Sequence, residues 1–158
     1  PELNNSVGGG GSSSDPNLLT FSPIYKEVAA SSEFTMDISV ENVTSLVGAE
    51  IVFTYDINFV SFDSAEPGSL LQTASNNFVI DEHDLVTGTV TLTLATAQDN
   101  GAGLTGSGSL IEVSFTLLPS ATGFFDLEFS DASRFIVSES PTATASFSAT
   151  TNASIVIL

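Results

Sequence analysis

The chain has 158 residues, enough for one domain with its own hydrophobic core, and 42% of them are hydrophobic, which excludes a disordered acidic polymer. Only Lys26 and Arg134 are basic, against 19 acidic residues, so the formal net charge is -17. This balance excludes nucleic acid and anionic membrane surfaces as partners, because both are bound by clustered lysine and arginine. The lack of cysteine excludes disulfides and thiolate metal sites. No apolar run is long enough to predict a transmembrane segment.

Residues 1–17 predict a flexible Gly/Ser-rich N-terminal tail or tether, because they contain too few apolar groups to offset the entropy of ordering. The chain opens on Pro1 rather than Met, which favours removal of a signal peptide. A surface rich in Ser and Thr and nearly free of Lys is typical of secreted proteins. We therefore expect an extracellular or cell-surface attached protein.

Residues 18–158 read as short strands separated by turns. The first strand contains Leu19, Phe21 and Ile24, with Pro23 inside it, which suits a sheet edge or a bulge. Strict alternation of apolar and polar residues over 34–40 predicts a half-buried strand. A further pair of strands ends at the turn Glu66-Pro67-Gly68, and one helical turn is allowed near residues 69–73. This pair comprises Ile51, Phe53 and Tyr55, then Val60 and Phe62.

The second half of the chain continues the pattern. Val90, Leu92 and Leu94 alternate with three threonines, and a glycine-rich loop over 100–108 leads into the next strand. No helical periodicity extends over three turns. The sequence therefore predicts an all-β fold, an antiparallel two-sheet β-sandwich of about nine strands with a jelly-roll arrangement. The remaining predicted strands lie at 78–80, 110–117, 125–129, 135–137, 143–147 and 155–158.

The residues that carry catalysis are scarce. His83, the single histidine, follows Asp81 and Glu82 in what reads as an exposed acidic turn, without a nucleophile motif nearby. One histidine and no cysteine give too few ligands for zinc. Asp126 and Glu128 share one strand face, as glycosidase carboxylates do, but a small sandwich without tryptophan offers no sugar-binding cleft. We predict that the protein is not an enzyme.

Oxygen ligands for calcium are more plentiful than ligands for zinc. Two clusters of such ligands stand out in the sequence, although neither has the spacing of a standard calcium-binding loop. No cofactor is required, and structural calcium is an open alternative to plain charged loops. The two clusters are Asp81, Glu82 and Asp84, and Asp99 with Asn100.

The two ends of the chain suggest strand exchange. The chain stops on four apolar residues, Ile155, Val156, Ile157 and Leu158, which must be covered within their own sheet or by a neighbour. Leu3 and Val7 flank the other end. A subunit with a detachable end strand can polymerise by β-strand addition, so a homo-oligomer or polymer is one interpretation. An ordinary last strand with a disordered spacer is the alternative.

The order of these features resembles that of cohesin modules, which belong to a family of β-sandwiches that also resembles carbohydrate-binding modules. The resemblance covers residues 18–158 and implies a protein–protein interaction module. Its pattern departs in two places: Asp56-Ile57-Asn58 lacks the usual proline, and Gly48 stands where an asparagine is common. The matching features, in order, are Tyr55-Asp56, residues 67–71, residues 94–97, residues 101–108 running into the strand 110–117, and residues 131–138 followed by 142–158 as a closing hairpin.

The resemblance also implies which face binds a partner. The outward row of one strand, lying beside a row of threonines, would form the contact surface. Our leading hypothesis is a structural subunit of a cell-surface assembly or filament that associates with copies of itself. The alternative is a cohesin proper that binds a dockerin-bearing partner, and a third interpretation is carbohydrate binding. The predicted partner-binding residues are Glu50, Val52, Thr54, Thr89, Thr91 and Thr93.

Overall fold

The computed structural model describes residues 17–97, 103–138 and 144–158. This part of the chain is built from strands, with one short 3-10 helix at Leu71–Thr73, inside the predicted helical turn. Twelve strands are described, more than the nine or so predicted. They are β1 Leu18–Ser22, β2 Tyr25–Val28, β3 Glu33–Thr54, β4 Val60–Pro67, β5 Asn76–Asp84, β6 Thr89–Ala97, β7 Leu104–Leu117, β8 Phe124–Phe129, β9 Arg134–Val137, β10 Ala145–Ser146, β11 Ala149–Thr151 and β12 Ala153–Ile157.

Strand β3 organises the fold because it belongs to both layers of the sandwich. The sequence predicted two separate strands here, but the chain runs on for 22 residues. Between the two halves, Asn42 and Ser45 have positive φ, and the pairing with β7 shifts register. The first half of β3 lies between β1 and β7. The second half pairs with β6 on one edge and with β9 and β8 on the other.

The two layers pack face to face, as predicted. We call β4, β7, the first half of β3 and β1 the back layer. We call β5, β6, the second half of β3 and β9 the front layer. Phe53 of the front layer meets Phe115 of the back layer edge to face, with ring centroids 6.1 Å apart. The ring centroid of Phe21 lies 5.5 Å from that of Phe53. All three rings are fully buried, and each contributes roughly 2–3 kcal/mol through burial.

The ends of the described chain depart from a purely antiparallel arrangement. Strand β1 runs parallel to β11, and β2 runs parallel to β12. The single first strand predicted around Pro23 was wrong: β1 ends at Ser22 and β2 begins at Tyr25. Proline has no N–H to donate to a ladder, so β1 ends before Pro23 and the chain changes pairing partners there.

Two predicted loops are wholly or partly strands. The segment Asp81–Asp84, predicted as a turn, is the end of β5 and pairs residue by residue with β6 as far as Asp84 opposite Thr89. The threonine row of β6 offers a continuous ladder partner, which overrides the low strand propensity of the acidic residues. Strand β7 likewise begins at Leu104, inside the predicted glycine loop, and its Gly106 pairs with Val43.

Candidate functional site

The predicted partner-binding residues form one continuous surface. In the antiparallel ladder of β3 and β6, Glu50 lies opposite Thr93 and Val52 opposite Thr91, and the next pair completes the set. Intervening residues such as Ile51 point into the core and are fully buried. Glu50 and Thr93 are exposed, and the other four are half-buried. The third pair of this ladder, which completes the six predicted residues, is Thr54 opposite Thr89. Whether this surface binds a partner stays a prediction.

Strand β5 widens this surface, which the sequence did not predict because its acidic end was interpreted as a loop. Ile80 lies beside Thr93, and Glu82 and Asp84 continue the same row along β5. Phe78 and Ile80 are 50% and 54% exposed, large fractions for apolar side chains on a regular strand. The signal available in the sequence was the spacing of Phe78, Ile80, Glu82 and Asp84 at every second position, which places all four on one face of a strand.

The opposite edge of the surface is formed by β9 and β8. Ile136 lies beside Gly48, Arg134 beside Glu50, and Glu128 beside Thr54. We call the whole outer surface of β5, β6, the second half of β3, β9 and Glu128 the front face. Gly48 and Thr54 are six positions apart on β3, so the two ends of this face are about 20 Å apart along the strand.

The two ends of the front face differ in chemistry. At the apolar end, a hollow of about 440 Å³ is lined by Gly48, Ala95 and Ile136, with Arg134 at its side. A Cβ atom built on Gly48 would lie 3.4 Å from the carbonyl oxygen of Leu94, so the glycine leaves the floor of this hollow open. Phe78 lies beside Ala95 at the same end.

At the acidic end, a hollow of about 600 Å³ is bordered by carboxylates. Its lining includes Thr54 and Thr87 together with three acids, and Glu82 and Asp84 lie nearby on β5. The Oδ1 atom of Asp84 accepts hydrogen bonds from the N–H groups of Val86 and Thr87, at 2.8 Å and 3.3 Å, and so shapes the β5–β6 turn. The three lining acids are Asp56, Asp126 and Glu128.

The turn between β5 and β6 ties the acidic end to the core. Gly88 has φ +71°, and its carbonyl oxygen accepts a 2.9 Å hydrogen bond from the N–H of Tyr55. Burial raises the pKa of the Tyr55 hydroxyl, a backbone hydrogen bond at Phe62 opposes that change, and the charge of Asp84 adds to the increase. Leu85 and Val86, at the tip, are exposed.

Ser133 holds the middle of the front face in place, and no pattern in the sequence singles it out. Its Oγ accepts a 3.0 Å hydrogen bond from the N–H of Val52 and donates at 3.2 Å to the carbonyl oxygen of the same residue. The N–H of Ser130 also donates to that oxygen, at 2.8 Å. This loop takes the place of a ladder partner between β8 and β9, and Ser133 is buried.

The strand-exchange candidates at the C-terminal end lie in β12 and directly after it. Strand β12 is an interior strand, paired with β2 on one side and β8 on the other. Ile155 is fully buried, Val156 and Ile157 are half-buried, and Leu158 is exposed. Leu3 and Val7 lie outside the described residues.

The candidate calcium ligands are dispersed where they can be located. Alternation along β5 directs Glu82 and Asp84 to the front face and Asp81 to the other side. His83 lies on the side of Asp81, with its ring 5.3 Å from that of Phe62, not in the predicted turn. Asp99 and Asn100 fall outside the described residues. Among residues 17–97, 103–138 and 144–158, no three His, Asp or Glu side chains are grouped to hold a metal ion.

Comparison with known proteins identifies the family. Residues 24–157 match the model of the cohesin domain. No curated protein sequence matches the chain significantly. In the described part of the chain, no helix is long and apolar enough to cross a membrane.

Three solved structures illustrate the similarity in fold. A non-cellulosomal cohesin from the archaeon Archaeoglobus fulgidus is 16% identical, with a TM-score of 0.70 over 91% of this chain and 92% of that one. The sixth cohesin of scaffoldin B from Acetivibrio cellulolyticus, solved with a mutant dockerin, is 18% identical, with a TM-score of 0.70 over 91% and 100%. A type I cohesin–dockerin complex from Clostridium thermocellum gives 10% identity and a TM-score of 0.73 over 91% and 100%.

Proposed function

Because this chain belongs to the cohesin domain family, we propose that it binds a dockerin module through its front face. Cohesin domains are non-catalytic protein–protein interaction modules. The observation that carries the proposal is the register of β3 with β6, which aligns the six predicted residues on one outer face, with Glu50 and Thr93 exposed and the other four half-buried. Rigid strands hold this surface in place before a partner arrives, which lowers the entropy cost of binding.

Two further observations support a protein partner. Several of the similar structures are complexes of a cohesin with a dockerin. The front face also carries exposed Phe78 and Ile80 towards one end and half-buried Val52 nearer its middle, among polar residues. Protein interfaces commonly combine apolar contacts with polar ones. Cohesin domains are typically modules of cell-surface or extracellular proteins, and we propose that this module likewise acts outside the cell.

Self-association into a filament remains a prediction from the sequence. It needs an end strand that is free to leave its own sheet, whereas β12 is hydrogen-bonded on both edges within its own chain. Releasing β12 would expose fully buried Ile155 and break two ladders. The geometry therefore favours a separate partner over a second copy.

The proposal is tested by blocking the front face. Thr93→Trp places a bulky side chain on an exposed front-face position, and we expect it to weaken dockerin binding at least about tenfold by steric exclusion. Val52→Asp and Glu50→Arg test neighbouring positions. The probes are purified dockerins encoded by the source genome and the dockerins of the Acetivibrio cellulolyticus and Clostridium thermocellum complexes. Affinity is measured by isothermal titration calorimetry.

The matched control is Thr35→Trp, an exposed threonine on the half of β3 in the back layer. It should leave affinity within about twofold, because back-layer contacts are not needed. Circular dichroism must show that each variant keeps its β-sheet spectrum. Equal binding by Thr93→Trp and the wild type would exclude the front face, and binding to none of the dockerins would refute the proposed function.

A further inference from the structure

The two ends of the front face differ enough to define the chemistry of the partner. Resting on the proposed function, we infer that the partner's contact surface is polarised. Lysine or arginine side chains occupy the acidic end, and an apolar side chain enters the hollow at the apolar end, about 20 Å away along the strands. Electrostatics at one end sets the rate of association, and apolar burial at the other sets the rate of dissociation.

The acidic end lacks a basic neighbour from its own chain. The sequence contains two basic residues. Arg134 lies on β9 beside Glu50, two residue positions towards the apolar end from Val52. Lys26 extends to the back layer, where its Nζ donates a 3.3 Å hydrogen bond to the carbonyl oxygen of Thr35. Neither lies beside the carboxylates around Thr54, so their charge is available to a cationic partner.

The carboxylates at this end can receive that charge. Glu82 and Glu128 are exposed and lie on opposite sides of the β3–β6 ladder, with Thr89, Thr91 and Thr54 between them. Burying them under an apolar partner would remove water from unpaired charges, which is strongly unfavourable. A cationic partner replaces that water with charge-assisted hydrogen bonds. The net charge of -17 also attracts such a partner from a distance.

The apolar end calls for a different contact. Phe78 and Ile80 are exposed there on β5, beside Ala95 and Thr93, and the adjoining hollow of about 440 Å³ has mostly small or aliphatic residues in its lining. Burial of apolar surface is favourable, and anchors of this kind dominate the lifetime of a complex. A single aliphatic or aromatic side chain of the partner would fill the hollow over Gly48.

Paired variants separate the contribution of the acidic end from that of the apolar end. Association and dissociation rates are measured by surface plasmon resonance with the dockerin that binds most tightly in the panel described above. Glu82→Gln with Glu128→Gln should lower the association rate about tenfold at low ionic strength, and the difference should vanish at high salt because exposed charges are screened. Glu66→Gln with Glu112→Gln removes the same charge from exposed back-layer positions, and should change the rate less than about threefold.

The apolar end is tested in the same assay. Phe78→Ser should raise the dissociation rate about tenfold and leave association unchanged, whereas Ile24→Ser, at an exposed position between β1 and β2, should alter neither by more than about twofold. If the front-face blocks abolish binding but the two charge pairs behave alike, the proposed function stands and the polarised partner is refuted. Binding by no dockerin would refute both.

Discussion

At the scale of single residues, the predictable part of the site is the part that depends on alternation. Glu50 and Val52 could be assigned to one face because side chains on a strand alternate, and the register with β6 confirmed their position beside the threonines. Ser133 could not be predicted, because a hydroxyl that clamps a distant strand looks like any other serine in a Ser-rich chain. Its hydrogen-bonding partner, Val52, is 81 residues away in sequence, so only the folded structure shows the contact.

Ser133 also carries a prediction at this scale. Ser133→Ala removes the acceptor for the N–H of Val52 and leaves a backbone donor unpaired, so the free energy of unfolding should fall by about 1–3 kcal/mol. Ser130→Ala is the control in the same loop: its Oγ accepts a hydrogen bond from Ala132 in an exposed turn, and its loss should lower stability by no more than about 0.5 kcal/mol. Urea unfolding measures both. Equal effects would mean that the clamp does not stabilise β3.

At the scale of elements, strand interiors were predicted well and strand continuity was not. Residues 34–40 and 51–55 have clear period-two patterns, yet the polar stretch between them reads as a turn although it is a bend within β3. A local pattern cannot distinguish a bend from a turn, because the difference depends on whether a partner strand follows. Here β7 does follow, with serine and threonine hydroxyls bonding the bent backbone at Asn42 and Ser45.

The β5–β6 hairpin provides a prediction for an element. Gly88 has positive φ, and a Cβ atom there would overlap the carbonyl oxygen of Tyr55. Gly88→Ala should therefore lower the free energy of unfolding by about 2–4 kcal/mol, through backbone strain and a steric clash. Gly123→Ala is matched for strain, since Gly123 has φ +92° but open space around it, and should lower stability by about 1 kcal/mol. Thermal unfolding compares them, and equal losses would exclude the clash.

At the scale of the whole molecule, the layered fold followed from composition and pattern, whereas the pairing of distant strands did not. Twelve phenylalanines and short alternating segments predicted a sandwich. The parallel pairing of β1 with β11 and of β2 with β12 joins segments more than 120 residues apart, about which local patterns carry no information. The acidic surface, in contrast, is a property of composition alone.

That surface leads to a prediction for the whole molecule. With a formal charge of -17, the folded state repels itself, so raising NaCl from about 0.01 M to about 0.5 M should stabilise it by about 1 kcal/mol, or about 2–4 °C in Tm. Thermal unfolding followed by circular dichroism measures the shift. Calcium chloride and magnesium chloride at matched ionic strength test the open alternative of structural calcium at Asp99 and Asn100, because a bound calcium ion adds a saturable increase that magnesium does not reproduce. Identical Tm shifts in sodium, calcium and magnesium chloride would leave charge screening as the sole cause. The absence of any Tm shift would contradict repulsion among the charges of the folded protein.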